Sequence, residues 1–192
     1  EDALASAREG VYRNWSFREV EEHYRQEYFT PAGESSRIRP EVQAMWHPAL
    51  SPSEWARANA EFKPGPGENG GNWVAKKDLP GRWQMQYRVL KFWGMLSGSR
   101  HVGVFPEQAT HWDWTGECIQ QEKRPLKVLN LFGYTALASL AAAQAGAQVT
   151  HVDASKKVIG WGRENQALSG LEDRPIRWLV DDASKFVARE GR

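Results

Sequence analysis

The chain has 192 residues, 41% hydrophobic and 26% charged, enough for one or two small globular domains, and no apolar run approaches the roughly 20 residues of a membrane helix. Twenty-five basic residues against 24 acidic ones leave a net charge of +1, which neither demands nor excludes a nucleic-acid partner. A single cysteine, Cys118, excludes an internal disulfide framework and fits a reducing soluble compartment, the cytoplasm or the mitochondrial matrix.

The sequence opens on Glu1 rather than Met, as a removed transit peptide or a longer parent chain would leave it. Residues 1–36 read as a helical N-terminal arm: Phe17, Val20, Tyr24 and Tyr28 fall on one helical face, an arrangement suited to docking on a partner, before 30–33 breaks the helix. Residues 37–114 read as an α+β region. Ser53 is placed to cap a short helix through Phe62, and 63–72 (KPGPGENGGN) reads as a flexible loop. Residues 73–77 and 83–92 look like two antiparallel strands joined through 78–81, with Gln84, Gln86 and Arg88 alternating against Met85, Tyr87 and Val89. Lys76, Lys77, Arg82, Arg88, Lys91 and Arg100 form a candidate basic strip, read first as a solvated sheet face. The ten tryptophans are read first as core and interface anchors and second as platforms for unpaired bases.

Residues 101–114 read as a turn and 115–122 as a helix carrying Cys118. The densest signal follows. Residues 127–132 form an apolar, branched run typical of a strand, 133–135 a tight turn, 136–145 an alanine-rich helix stopped at Gly146, and 148–152 a second strand ending in Asp153. Strand, helix and strand at this spacing make a βαβ unit with parallel strands. The turn presents helix N–H groups to a ligand, and Asp153, about 20 residues beyond Gly133, can accept from ribose hydroxyls. The pattern G-x-G-x-x-G is absent, which argues against NAD or FAD and leaves other adenosine ligands open. Ser155 then caps a helix over 156–169 with Val158, Trp161, Gly162, Asn165 and Leu168 inward. Residues 176–180 form a third strand ending in Asp181-Asp182-Ala183, where Asp182 can also cap a helix over 184–189. His47, His101, His111 and His151 show no metal-ligand spacing, and no Ser-His-Asp arrangement can be argued, so no catalytic residue is assigned.

HVGVFPEQATHWDW (101–114), LNLFGYTALASLAAA (129–143), VTHVDASKKVIGWGRENQALSGL (149–171) and RPIRWLVDDASKF (174–186) together resemble the class I S-adenosylmethionine-dependent methyltransferases, most closely the branch that methylates large-subunit ribosomal RNA at cytosine-5 or guanine-N2. The resemblance is continuous from about Arg39 to Phe186. It implies that 115–192 is the N-terminal half of a Rossmann-like domain, an incomplete fold with the first three parallel strands. It implies S-adenosylmethionine as cofactor, held by Phe132, Gly133, Thr135, Asp153, Ala154, Asp182, Ala183 and Gln108. Asp182 would accept from the adenine amino group, and Pro106, Glu107 and Gln108 would lie near the methionine end. Cys118 is then a packing thiol, because the attacking cysteine of the RNA enzymes belongs to a later segment.

The sequence departs from that pattern in three ways. Ala136 stands where the family usually has Gly, and its methyl is expected to crowd the ligand or tilt the helix. The Asp-Pro-Pro-Lys-type motif of the acceptor pocket would lie beyond Arg192. With three of the usual seven strands, the third has an open edge that later residues or a partner must cover. Two functions follow: a methyltransferase with RNA as acceptor, or a catalytically inactive subunit of a ribosome or respiratory complex, bound through the N-terminal arm and the open edge.

Overall fold

The computed structural model describes residues 37–38, 51–65, 70–75 and 79–190. The expected helical arm lies outside them. Two small β units precede a βαβαβ unit. In the first, β1 (Arg37–Ile38) pairs parallel to β2 (Ala60–Pro64), which pairs antiparallel to β3 (Gly71–Ala75); α1 (Pro52–Ala56) lies between β1 and β2 in sequence. The second is a hairpin of β4 (Arg82–Tyr87) and β5 (Leu90–Met95). A 3-10 turn (Pro106–Gln108) leads into α2 (Ala109–Gln121). Then come β6 (Lys127–Leu131), α3 (Leu137–Gln144), β7 (Gln148–Asp153), α4 (Lys156–Leu168), β8 (Ile176–Val180) and α5 (Ala183–Glu190).

Three expectations are corrected in the N-terminal half. The helix read over 53–62 stops at Ala56. Residues 60–64 are instead strand β2, whose Ala60 and Phe62 are buried while Lys63 is exposed, and the 63–72 loop shrinks to the hairpin connection. The stretch 83–92 is not one strand paired with 73–77. It folds back on itself at Arg88-Val89, where Arg88 takes φ 50 and Tyr87 faces Leu90 in register. The alternation therefore holds only to Tyr87, and Val89 is exposed at the turn. The helix read over 115–122 begins at Ala109. Within the expected basic strip, Arg82 turns to Glu164 on α4 (2.9 Å) and lies over the Trp93 ring, whereas Arg88 pairs with Asp113 on α2 (2.7 Å). These cations secure the hairpin from two sides and do not form a strip; Lys76 and Lys77 lie outside the described residues.

The C-terminal half follows its sequence closely. β6, β7 and β8 are parallel in the order β6-β7-β8, with Asn130, His151 and Trp178 in one row and Leu131, Val152 and Leu179 in the next. Ser155 caps α4 through Val158 N–H (3.3 Å). Two right-handed crossovers in the same direction put α3 and α4 on one face. There Ser139 of α3 meets Asn130 and His151, and Gly162 of α4 packs on Trp178. The inward residues of α4 are Ile159, Trp161, Gly162, Asn165 and Gln166; Val158 and Leu168 are only half-buried. The opposite face is partly open, with Leu129 half exposed. Both β6 and β8 are outer strands among the described residues, so the open edge expected on the third strand has a counterpart on the first.

The β4–β5 hairpin shares its core with this unit. Met85, Tyr87, Leu90 and Phe92 pack with Val104, Trp112, Leu137 and Leu140. Asn165, fully buried on α4, fastens the two parts: its Oδ1 accepts from Trp93 N–H (2.9 Å) and its Nδ2 donates to the Thr135 carbonyl (3.0 Å). Trp161 Nε1 donates to the Trp93 carbonyl (3.0 Å) beside it. Replacing Asn165 by Ala leaves two buried main-chain groups unpaired and should lower the unfolding free energy by about 3 kcal/mol. Urea unfolding followed by tryptophan fluorescence measures it, and a loss well below 1 kcal/mol would contradict this role.

Candidate cofactor site at the strand tips

The turn between β6 and α3 has an unusual backbone. Phe132, Tyr134 and Ala136 take φ of 56, 49 and 76, three left-handed non-glycine residues in alternation. Each costs on the order of 1–2 kcal/mol, so the surroundings must hold them. Gly133 lies between them and is required for space. A Cβ there would fall 2.8 Å from His151 Nε2 and closer still to its Cε1 and Nδ1. Gly133 N–H donates to the Val152 carbonyl (3.0 Å), and Tyr134 N–H donates to Asp153 Oδ2 (3.0 Å). The second Asp153 oxygen accepts from Ser155 N–H (2.8 Å). The Thr135 hydroxyl donates to the Gly103 carbonyl (2.6 Å), and the Tyr134 ring lies between Phe105 (5.1 Å) and Trp161 (6.3 Å).

A cleft of about 360 Å³ opens beside this turn. Val104, Phe105, Gln108 and Trp112 line one side; residues 130–135 with Leu137 and Ala138 line the other. Four expected residues, Phe132, Gly133, Thr135 and Gln108, meet there. Phe132 is 76% exposed and offers its ring freely. Gln108 is exposed and pairs through Oε1 with His111 Nδ1 (2.8 Å), while Pro106 and Glu107 lie outside the lining. The other four, Asp153, Ala154, Asp182 and Ala183, sit outside this cleft at the carboxyl ends of β7 and β8. Asp181 N–H donates to the Asp153 carbonyl (3.1 Å), which joins those two tips. Gly133, Asp153 and Asp182 thus share one edge of the parallel sheet.

Asp182 does cap α5: its Oδ1 accepts from Lys185 N–H (2.9 Å), leaving Oδ2 for other partners. Asp181 pairs with Arg189 (2.8 Å), and that hydrogen bond holds its carboxyl below the usual carboxylate range. Ala136 corrects an expectation. Its methyl is fully buried, packed where a Gly162 Cβ would stand 3.0 Å away, and it does not reach the cleft. Cys118 is a free, half-buried thiol on α2. Among the described residues no cluster suited to a metal ion occurs, and no helix is long and apolar enough to cross a membrane.

Sequence reasoning missed Asn130, Ser139 and His151. Asn130 Nδ2 donates to Ser139 Oγ (2.8 Å), which lies 2.9 Å from His151 Nδ1. His151 is fully buried, its Nε2 has no partner among the described residues, and burial pushes its pKa down to about 4 against a smaller opposing pull from Asp153. The available signal was Asn130 within the apolar run 128–132; His151 stands among Gln148, Thr150 and Asp153 and was not marked in the same way.

A parallel sheet with a strained glycine turn, a cleft beside it and a carboxylate at the next strand tip defines a Rossmann-like fold of the methyltransferase type. Comparison with known proteins agrees. No protein-family model matches the chain. A solved S-adenosylmethionine-dependent methyltransferase from Agrobacterium tumefaciens is 51% identical over 82% of this chain, with a TM-score of 0.76. The ribosomal RNA large subunit methyltransferase K/L of Shewanella baltica is 35% identical over 98 residues, half of this chain. The enzyme of that name from Psychrobacter cryohalolentis is 52% identical over 79 residues. The chain spans 50% of the Agrobacterium chain and 13% of the Shewanella enzyme. The resemblance to S-adenosylmethionine-dependent methyltransferases therefore holds in sequence and in fold, and that to the large-subunit ribosomal RNA branch in sequence.

Two outcomes follow from His151. Gly133→Ala should cost about 1–3 kcal/mol by overpacking, and the double variant with His151→Ala should recover part of it. Strict additivity in urea unfolding would contradict the contact. An unfolded histidine takes its proton near pH 6.5, whereas the folded one resists until about pH 4. The folded chain should thus lose stability as pH falls through that window, with no further loss from this group below it. His151→Gln should flatten the slope there; an unchanged slope would contradict the assignment.

Proposed function

We propose that this chain supplies the cofactor-binding part of an S-adenosylmethionine-dependent methyltransferase whose acceptor is large-subunit ribosomal RNA. The observation that carries the reading is the joining of the Asp153 carboxylate to the strained turn, which itself lines a cleft of about 360 Å³, within the range of small-molecule sites. On this reading residues 115–192 are the N-terminal half of the cofactor domain, 37–114 an α+β region whose hairpin shares its core, and 1–36, outside the described residues, an arm.

Each Asp153 oxygen accepts one backbone N–H and keeps a second lone pair for a ribose hydroxyl. Asp182 Oδ2 accepts from the adenine amino group. Ala154 and Ala183 add little bulk at the two tips, and Phe132 gives an apolar wall. Thr135, its hydroxyl committed to Gly103, acts by holding the turn, while Gln108 faces the amino-acid end from the opposite wall. The cofactor supplies an already electrophilic methyl group, so the residues around it have to align the acceptor and exclude water. An RNA base reaches such a site by leaving its stack.

The relatives named above are bacterial enzymes, and a catalytically inactive mitochondrial subunit, or docking of other subunits on the arm or sheet edge, draws no support from them. Calorimetry with S-adenosylhomocysteine should give micromolar binding, about −8 kcal/mol at 1 μM, weakened at least about tenfold by Asp153→Ala in a variant still folded by circular dichroism. Binding of NADH in place of S-adenosylhomocysteine would overturn the cofactor. For the acceptor, the full-length gene product with methyl-labelled cofactor should label large-subunit RNA from a strain lacking the gene; label in ribosomal protein alone would overturn it.

A further inference from the structure

Asn130 lines the cleft, and behind it runs a chain of hydrogen bonds into the core. Ser139 and His151 are completely buried, and the chain ends on an imidazole nitrogen without a partner among the described residues. A buried unpaired ring nitrogen costs free energy that an apolar side chain would not, so the fold retains His151 against its own stability. The direction of the chain follows from counting protons. Ser139 Oγ accepts from Asn130 Nδ2, so its single proton goes elsewhere. Among the described residues Ser139 Oγ has no hydrogen-bond partner besides Asn130 Nδ2 and His151 Nδ1. His151 Nδ1, 2.9 Å from Ser139 Oγ, takes that proton, and the imidazole carries its own on Nε2. With its nitrogen turned inward, Asn130 leaves its Oδ1, a pure acceptor, without a hydrogen bond among the described residues.

We propose that Asn130, Ser139 and His151 form a one-way relay that holds the Asn130 carbonyl toward the cleft, making that spot selective for a hydrogen-bond donor of the ammonium class. His151 is a positioning residue: it forms the floor under Gly133 and fixes the amide of a residue it does not touch. Because burial keeps its pKa near 4, the relay has a single state throughout the neutral range. The assignment of the donor to the cofactor's amino-acid end rests on the function proposed above, whereas the direction of the relay does not.

Histidine side-chain 15N–1H correlation on the ligand-free chain should show His151 protonated at Nε2 and bare at Nδ1. Asn130→Asp, which can only accept, should reverse the chain: Ser139 donates to the new carboxylate, and His151 moves its proton to Nδ1. A native Nδ1–H tautomer, or one unmoved by Asn130→Asp, overturns the relay. By calorimetry Asn130→Leu should weaken S-adenosylhomocysteine about tenfold, roughly 1.4 kcal/mol. It should leave 5′-methylthioadenosine, which lacks the amino-acid end, unchanged, and Asn130→Asp should retain affinity for both. Equal losses for both ligands overturn the donor specificity. If neither ligand binds the native chain, the proposed function fails and the ligand assigned here fails with it, while the tautomer result still decides the relay.

Discussion

The Asp153 carboxylate divides its two oxygens between the Tyr134 and Ser155 amides, and with them it ties the tip of the middle strand to the turn before it and the helix after it. Charge-assisted bonds of this kind are roughly twice as strong as neutral ones. They matter because the turn is held in a conformation its residues resist. Phe132, Tyr134 and Ala136 all take left-handed backbone without glycine's freedom. Such strain persists only where neighbours over-determine it. Here they do so from several directions: the Thr135 hydroxyl on Gly103, Asn165 on the Thr135 carbonyl, and the Tyr134 ring between Phe105 and Trp161.

Two of those neighbours, Gly103 and Phe105, come from outside the βαβαβ unit, and the hairpin shares a core with it. Trp93 on β5 accepts from Trp161 Nε1 and donates to Asn165 Oδ1 on α4, and Arg82 reaches Glu164 on the same helix. The hairpin thereby sets where residues 101–108 run, and these build the second wall of the cleft. A turn and a carboxylate alone would give an open shelf. With Phe105 and Gln108 facing them, the arrangement becomes a site of limited width.

What could be read from the sequence follows the strength of each local signal. The parallel unit was legible because branched apolar runs, an alanine-rich helix and a glycine stop agree with one another. The relation of Gly133 to Asp153 was legible because the crossover fixes it. The hairpin was not: QYRVLKF has no Gly, Pro, Asn or Asp at its turn, and the register is set by Met85, Tyr87, Leu90 and Phe92 reaching a shared core. α2 was cut short because ATHWDW carries no clear period, although Ala109 and Trp112 are buried three residues apart. The Ala136 methyl looked like an obstacle to a ligand because its direction depends on a left-handed φ that no alanine announces. Asn130 was visible as a polar residue in an apolar run, but His151 stands in the mixed strand QVTHVD and their common partner Ser139 lies on a helix, so only the packed fold brings the three together.

The central claim is that the three strand tips and the adjoining cleft act as one seat for an adenosyl ligand. Amide chemical-shift mapping of the 15N-labelled chain during titration with S-adenosylhomocysteine tests it most directly. Saturable shifts should concentrate at Phe132 to Leu137, Asp153 to Ser155, Asp182 and Ala183, with a second group at Phe105 and Gln108. Shifts confined to the hairpin turn near Arg88, or to β2 and β3, would contradict it.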